Sequence, residues 1–397
     1  MPFTDSLPTL VQKHLPFFLG ILRTFKPIVT IKGYTAVTRF TDVQEVLSRP
    51  DVFGVTYAKK MGVVTDGGNF FLGMDNTPTY TRDVSNMRIL IRREDIETVI
   101  APMITRLAAA EVARHSGSLD VVQDISGAVP ARFVKEYMGI PGPSENDMIE
   151  WTTYLFQYLF FPNNPKDVDT KAAVYAKALR EYLGGLLAVR KMETGAADDT
   201  IARSFALQRS GTLGMSDLDI RNNLIGIVIG AIPTTSRCVA LVIDYLLDHP
   251  GLLASAQSAA CNNDIALLRQ YVLECLRFNS FGAGSFRIAK EDYVLASGTL
   301  RSTKIKKGDQ VIALTQSAML DGRQLDCPGD FKLDRPLHHY MHFGYGMHTC
   351  FGYYINLVQI PIIVAAILKR PHLRRIKNTA MQYRGPFPIS LPVEFDA

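Results

Sequence analysis

The sequence predicts a mainly α-helical fold with small β-sheets. Helical periodicity runs through most of the chain, and one late stretch switches to short β-prone runs punctuated by Gly and Lys-Gly. Trp151 to Phe161 is an aromatic-rich helical run. Leu218 to His249 predicts a long, mostly apolar helix that Pro250-Gly251 stops; apolar on most sides, it must be buried. A second helix is predicted over Ile265 to Phe278, and a small sheet over Tyr293 to Leu314. A loop rich in Asp, Gly and Pro follows from Asp321 to Pro336, then a glycine-rich turn, then a helix over Tyr353 to Leu368.

At 397 residues the chain has room for two average domains, but one large domain over residues 1–397 fits equally well. Apolar residues at 47% and charged residues at 20% are ordinary globular values and leave no disordered or low-complexity tract. A net charge of +5 is too modest to imply nucleic acid. Five cysteines, Cys238, Cys261, Cys275, Cys327 and Cys350, are odd in number and free of CxxC spacing, which argues against a disulfide framework or a zinc site. A reducing, cytoplasmic location is expected. The apolar stretch Leu15 to Phe25 is interrupted by Arg23 and falls short of the ~20 residues that span a bilayer, so no membrane anchor is expected.

The run Phe343-Gly344-Tyr345-Gly346-Met347-His348-Thr349-Cys350-Phe351-Gly352 carries the most chemistry. It reads as a cradle for a haem iron. Phe343 shields a thiolate from water, the glycines let a turn pass close to a flat cofactor, Cys350 supplies the sulfur, and Gly352 lets a helix begin. A thiolate on iron pushes electron density onto the metal and must be kept deprotonated. Backbone N–H groups at a helix N-terminus serve both needs. The same residues also suit a Gly-rich surface turn around a buried free cysteine.

The complete pattern Phe-Gly-x-Gly-x-His-x-Cys-x-Gly resembles the haem-binding loop of the cytochromes P450, and the order of elements from Leu224 to Gly352 resembles that family's C-terminal half. The resemblance implies a cytochrome P450 fold built round a buried haem b, with Cys350 as the axial ligand of the iron. It also implies a structural cluster of Glu274 and Arg277, three apart on one helix face, locked by Arg335. Haem propionates need cationic or hydrogen-bonding partners. By the resemblance these are His348 and Arg287, with Tyr80 in Asp75-Asn76-Thr77-Pro78-Thr79-Tyr80-Thr81-Arg82 where the family usually has histidine, and with Arg82 and Arg88 as weaker candidates.

The long helix departs from the family. Members usually carry an acid followed by Thr at mid-helix, a pair that helps deliver protons to the oxygen being activated. This chain reads Gly230-Ala231-Ile232-Pro233-Thr234-Thr235-Ser236, keeping the alcohol at Thr234 but placing Pro233 where the acid belongs. A kink or widened groove is expected at Pro233. Proton delivery then falls to Thr234, Thr235, water or substrate.

The resemblance thus implies a soluble bacterial-type monooxygenase that oxidises a small apolar organic molecule with electrons from a ferredoxin-type partner. A peroxide-using enzyme, a specialised rearrangement or coupling enzyme, and a non-catalytic haem sensor or carrier are the alternatives. Arg88, Arg92 and Arg93, and Lys369, Arg370, Arg374, Arg375 and Lys377, are candidate docking patches for an acidic electron donor or simply solvated faces. Rings of the Trp151–Phe161 helix are mostly expected in the core. Ser280 to Phe286, Gly68 to Leu72 and Pro386 to Pro388 are candidate cavity-lining segments.

Overall fold

Helix α1 (Ser6–Phe25) opens a computed structural model that describes residues 6–162, 164–193, 195, 197–212 and 214–396. It leads into the hairpin β1 (Ile28–Ile31) and β2 (Tyr34–Val37), then α2 (Phe40–Ser48) and β3 (Phe53–Val55). Helices α3 (Ala58–Thr65), α4 (Pro78–Leu90) and α5 (Ala101–Val112) precede strand β4 (Ser118–Asp120). After it come α6 (Ala128–Met138), α7 (Glu145–Phe160), α8 (Lys166–Met192), α9 (Thr200–Arg209), α10 (Asp217–Leu247), α11 (Pro250–Cys261) and α12 (Ile265–Phe278). Strands β5 (Ser285–Ala289), β6 (Tyr293–Leu295), β7 (Thr303–Ile305) and β8 (Gln310–Ala313) lead to the single turn α13 (Thr315–Ala318). The chain ends with α14 (Tyr353–Leu368) and strands β9 (Arg374–Arg375), β10 (Gln382–Arg384), β11 (Phe387–Ser390) and β12 (Pro392–Glu394).

The chain divides into two compact units, Met1–Thr56 with Leu276–Cys350, and Tyr57–Cys275 with Phe351–Ala397. The first is built on a five-stranded sheet of order β1-β2-β8-β5-β3. β2 and β8 run parallel, while β5 is antiparallel to both β8 and β3, which sets Arg287 opposite Val311 on one side and Val55 on the other. Val37, Phe40, Val43, Phe53, Val311 and Met341 form the core around that sheet.

The second unit is helical, and α10 lies at its centre against α6, α7, α8 and α14. A capping box of Ser216 and Asp219 starts α10. It ends at Leu247, two residues before the expected His249, because Pro250 already serves as an N-terminal residue of α11. Among the described residues α10 is the one helix long and apolar enough to cross a membrane, yet 67% of its most apolar window is buried inside the protein, as befits a core helix. Pro233 lies within it and the helix runs on through it, since proline removes one backbone bond and the turns on either side remain.

Candidate functional site

In the first unit the glycine-rich turn closes on itself. The Cys350 amide donates to Phe343 O at 2.8 Å, the Gly344 amide to Met341 O at 3.1 Å, and the Thr349 amide to Gly346 O at 3.1 Å. Gly344 and Gly346 hold left-handed φ values of +76° and +71°, which side chains disfavour by roughly 1–2 kcal/mol per residue. At Gly346 an added Cβ would also lie 2.5 Å from Leu47 O, a backbone atom that cannot swing aside. Gly346→Ala is therefore expected to lower stability by about 2–4 kcal/mol, strain and overpacking together, read as an earlier denaturant midpoint and a lower haem-to-protein ratio. An unchanged midpoint would contradict that account of the turn.

Cys350 itself is half-buried and outside any disulfide. Phe343 and His348 are half-buried on the same turn. Arg287 is buried on β5 with Nη1 donating to Phe286 O at 2.8 Å. The whole segment Ser280–Phe286 is half-buried.

The loop that precedes the turn is held by two arginines. Arg277, fully buried on α12, donates to the carbonyls of Pro328 and, at 2.7 Å, of Asp330. Arg335, 5% exposed, donates to Asp326 O and Cys327 O at 2.7 Å and to Asp330 O at 3.1 Å. Both guanidinium groups thus grip the Asp321–Pro336 loop and share one carbonyl. Glu274 is fully buried one turn earlier on α12.

In the second unit α10 presents one incompletely buried face. Ile227, Gly230, Ala231, Thr234 and Cys238 are half-buried and recur at helical spacing, so they share that face. The Thr234 hydroxyl sits on it and donates to Gly230 O. Thr235, 2% exposed, faces the other way and donates to Asn356 Oδ1 on α14 at 3.1 Å. Pro233 is buried. Asn356 carried no signal in the sequence, because its role depends on which of two adjacent threonines faces α14.

The segment Gly68–Leu72 is fastened to α10. Phe71 N donates to Asn223 Oδ1 at 3.2 Å, and Gly226 lacks the Cβ that would strike the Phe70 ring at 2.2 Å. Tyr80 is buried in α4; burial raises its phenol pKa and the Arg88 charge partly offsets this, so it stays a neutral hydrogen-bond donor. Arg82 is engaged by Asp83 at 2.7 Å and Asp219 at 3.3 Å. Gly352 is the N-terminal cap residue of α14.

Of the rings in α7 only Tyr154 is fully buried, fewer than the sequence suggested. Phe156, Phe160 and Phe161 remain half-buried, and two of them lie against strand β11: the Phe156 and Phe161 centroids are 5.9 and 6.1 Å from that of Phe387. The two basic patches differ. Arg88, Arg92 and Arg93 are exposed, with Arg93 stacked 3.9 Å over the Tyr354 ring. In the C-terminal run, by contrast, Arg374 pairs with Glu394 and Asp396, Arg375 with Asp244 and Asp248, and Lys369 with Asn263.

These residues fit a haem-thiolate group. Cys350 is unbridged and half-buried on a turn with two left-handed glycines, at one of which a Cβ would strike backbone. The propionate candidates are donors. Among the described residues no cluster of three or more His, Cys, Asp or Glu offers a separate metal site.

A family profile described as Cytochrome P450 matches residues 7–382, running across both units. The putative cytochrome P450 133B2 of Xylella fastidiosa is 26% identical over 262 residues, 66% of this chain and 62% of the relative, so the match spans less than two thirds of that protein. Cytochrome P450 107B1 of Saccharopolyspora erythraea is 25% identical over 371 residues, 87% of this chain and 85% of the relative. The crystal structure of P450BioI in complex with hexadec-9Z-enoic acid ligated acyl carrier protein shares the fold with a TM-score of 0.83 at 21% identity, covering 98% of this chain and 100% of that one. The chain belongs to the cytochrome P450 family, whose members are haem b-binding monooxygenase oxidoreductases.

Proposed function

We propose that this chain is a cytoplasmic haem-thiolate monooxygenase, acting as one catalytic domain, that oxidises a small apolar organic molecule with electrons from a ferredoxin-type donor. The observation that carries the reading is the Phe343–Gly352 turn, closed by the Cys350 amide on Phe343 O with two left-handed glycines between them. When bound, haem b supplies the activation of dioxygen and the transfer of one oxygen atom to carbon. The protein supplies position and protons.

Cys350 would provide the thiolate, with Phe343 keeping water from it. His348, Arg287 and Tyr80 would donate to the propionates, Tyr80 as a neutral phenol. Thr234 is the proton handler. Its own proton rests on Gly230 O, which leaves both oxygen lone pairs turned to accept a hydrogen bond and pass a proton on. Thr235, engaged with Asn356, positions α10 against α14. Since Pro233 offers no carboxylate, the proton supply runs through Thr234, water or the substrate. Exposed Arg88, Arg92 and Arg93 suit an acidic electron donor.

A hydroperoxide as the oxidant is the second reading, carried by Pro233: such an oxidant already brings the electrons and protons an acid would help deliver. The expected outcome is well-coupled turnover with a ferredoxin and reductase pair and little with hydrogen peroxide or a fatty-acid hydroperoxide, measured as product formed per electron pair consumed. Turnover with peroxide and none with the redox pair overturns the monooxygenase reading.

A further inference from the structure

Proline at position 233 takes one rung out of α10: it has no N–H to give to Ile229 O, the carbonyl one turn before it. The missing bond falls one residue before Thr234, in the turn whose rotation about the helix axis decides where the Thr234 hydroxyl points. A helix interrupted there bends and twists more readily unless something outside its own backbone holds it.

The three residues that follow are all alcohols, Thr234-Thr235-Ser236, and successive positions point about 100° apart. Each hydroxyl has a different partner. Thr234 donates to Gly230 O on its own helix. Thr235 donates to Asn356 Oδ1 on α14 at 3.1 Å. Ser236 Oγ lies 2.9 Å from Ser126 Oγ, at the end of the π-helical turn Val121–Ser126 that packs along α10. Two of the three bonds therefore leave the helix, and they leave it toward two different elements. Both partners are themselves fixed. Ser126 is fully buried, and Asp120 ties the start of its turn: Oδ1 accepts from the Val122 and Gln123 amides at 2.9 and 3.0 Å and from the Leu391 amide at 3.1 Å. Asn356 stands in the first turn of α14, its amide bonded to Gly352 O at 2.9 Å. One attachment lets a rod pivot about it, whereas two in different directions stop the rod from turning about its axis.

We propose that Ser126 is a positioning residue for the oxidation: acting through Ser236, and together with the Thr235–Asn356 bond, it fixes the rotation of α10 at Thr234 in place of the backbone bond that Pro233 removes. This rests on the reading of Thr234 as the proton handler and names what aims it.

The test is the infrared C–O stretch of carbon monoxide bound to the reduced, haem-loaded protein, which responds to the polar groups beside the bound gas. It is recorded for the wild type, Thr234→Val, Ser126→Ala, Ser236→Val and Ser236→Thr. Thr234→Val removes the hydroxyl and gives the full shift. Ser126→Ala and Ser236→Val are expected to move the band in the same direction or to split it, and Ser236→Thr, which keeps a hydroxyl, to hold the wild-type band. Amide hydrogen exchange over residues 229–238 is expected to quicken about three- to ten-fold in Ser126→Ala and Ser236→Val, the range that one lost hydrogen bond supports, with no change at the Ser216–Asp219 capping box. Wild-type bands in Ser126→Ala and Ser236→Val beside a shifted band in Thr234→Val overturn this inference alone. The same bands with a lowered denaturant midpoint mark a purely structural hydroxyl pair and overturn it equally. An unshifted band in Thr234→Val overturns the proton-handler reading, and this inference falls with it.

Discussion

Cys350→Ser is expected to abolish the thiolate-type Soret band of the reduced carbon monoxide complex and to bring turnover to background. A serine hydroxyl does not ionise at working pH, whereas a thiol within reach of a metal does, so the substitution removes the anionic donor while changing one atom. The fold should survive. The bond that closes the turn runs from the Cys350 amide to Phe343 O and does not involve the sulfur, and the side chain is only half-buried. A denaturant midpoint close to that of the wild type, together with a missing band, therefore separates loss of ligation from loss of structure. Cys261→Ser and Cys327→Ser, at exposed cysteines, should keep the band. A Cys350→Ser protein that still shows it would require another sulfur or another site, and the axial assignment would fall.

How much of this was legible in the sequence depended on whether the signal was local. The bounds of α12 and α14 coincide with the runs Ile265–Phe278 and Tyr353–Leu368 because their punctuation is local: Asp264 accepts from the Leu267 amide at 2.9 Å, and Gly352 caps α14. The glycines of the turn were equally readable, since a left-handed φ is a demand on one residue. The two threonines were not. They lie 100° apart on α10, and only packing against Asn356 decides that Thr235 is turned to α14 while Thr234 keeps the open face. The C-terminal basic run read as a possible surface because five cations crowd together. In β9 successive side chains point to opposite sides, so Arg374 and Arg375 reach separate acids on β12 and its tail and on α10.

Arg277→Ala is expected to destabilise the protein by roughly 3–5 kcal/mol and to leave most of it without haem. Arg277 is fully buried and its two ends hold Pro328 O and Asp330 O. Truncation takes this donor from Pro328 O and leaves Asp330 O to Arg335 alone, and it removes the cation one turn from the fully buried Glu274 on the same helix. Arg335 keeps its grip on Asp326 O and Cys327 O. It cannot replace the lost fork, because its contact with the shared Asp330 carbonyl is already made. The damage therefore falls on the loop that precedes the turn, which explains why haem retention should suffer although the arginine is not on the turn itself. Arg277→Lys separates charge from geometry: a single ammonium keeps the positive charge but presents no planar fork, so its haem content should lie between those of the wild type and Arg277→Ala. The haem-to-protein absorbance ratio and the denaturant midpoint read both effects. Wild-type values for both in Arg277→Ala would mean that the loop holds its shape without the guanidinium, and the structural role assigned to Arg277 would be withdrawn.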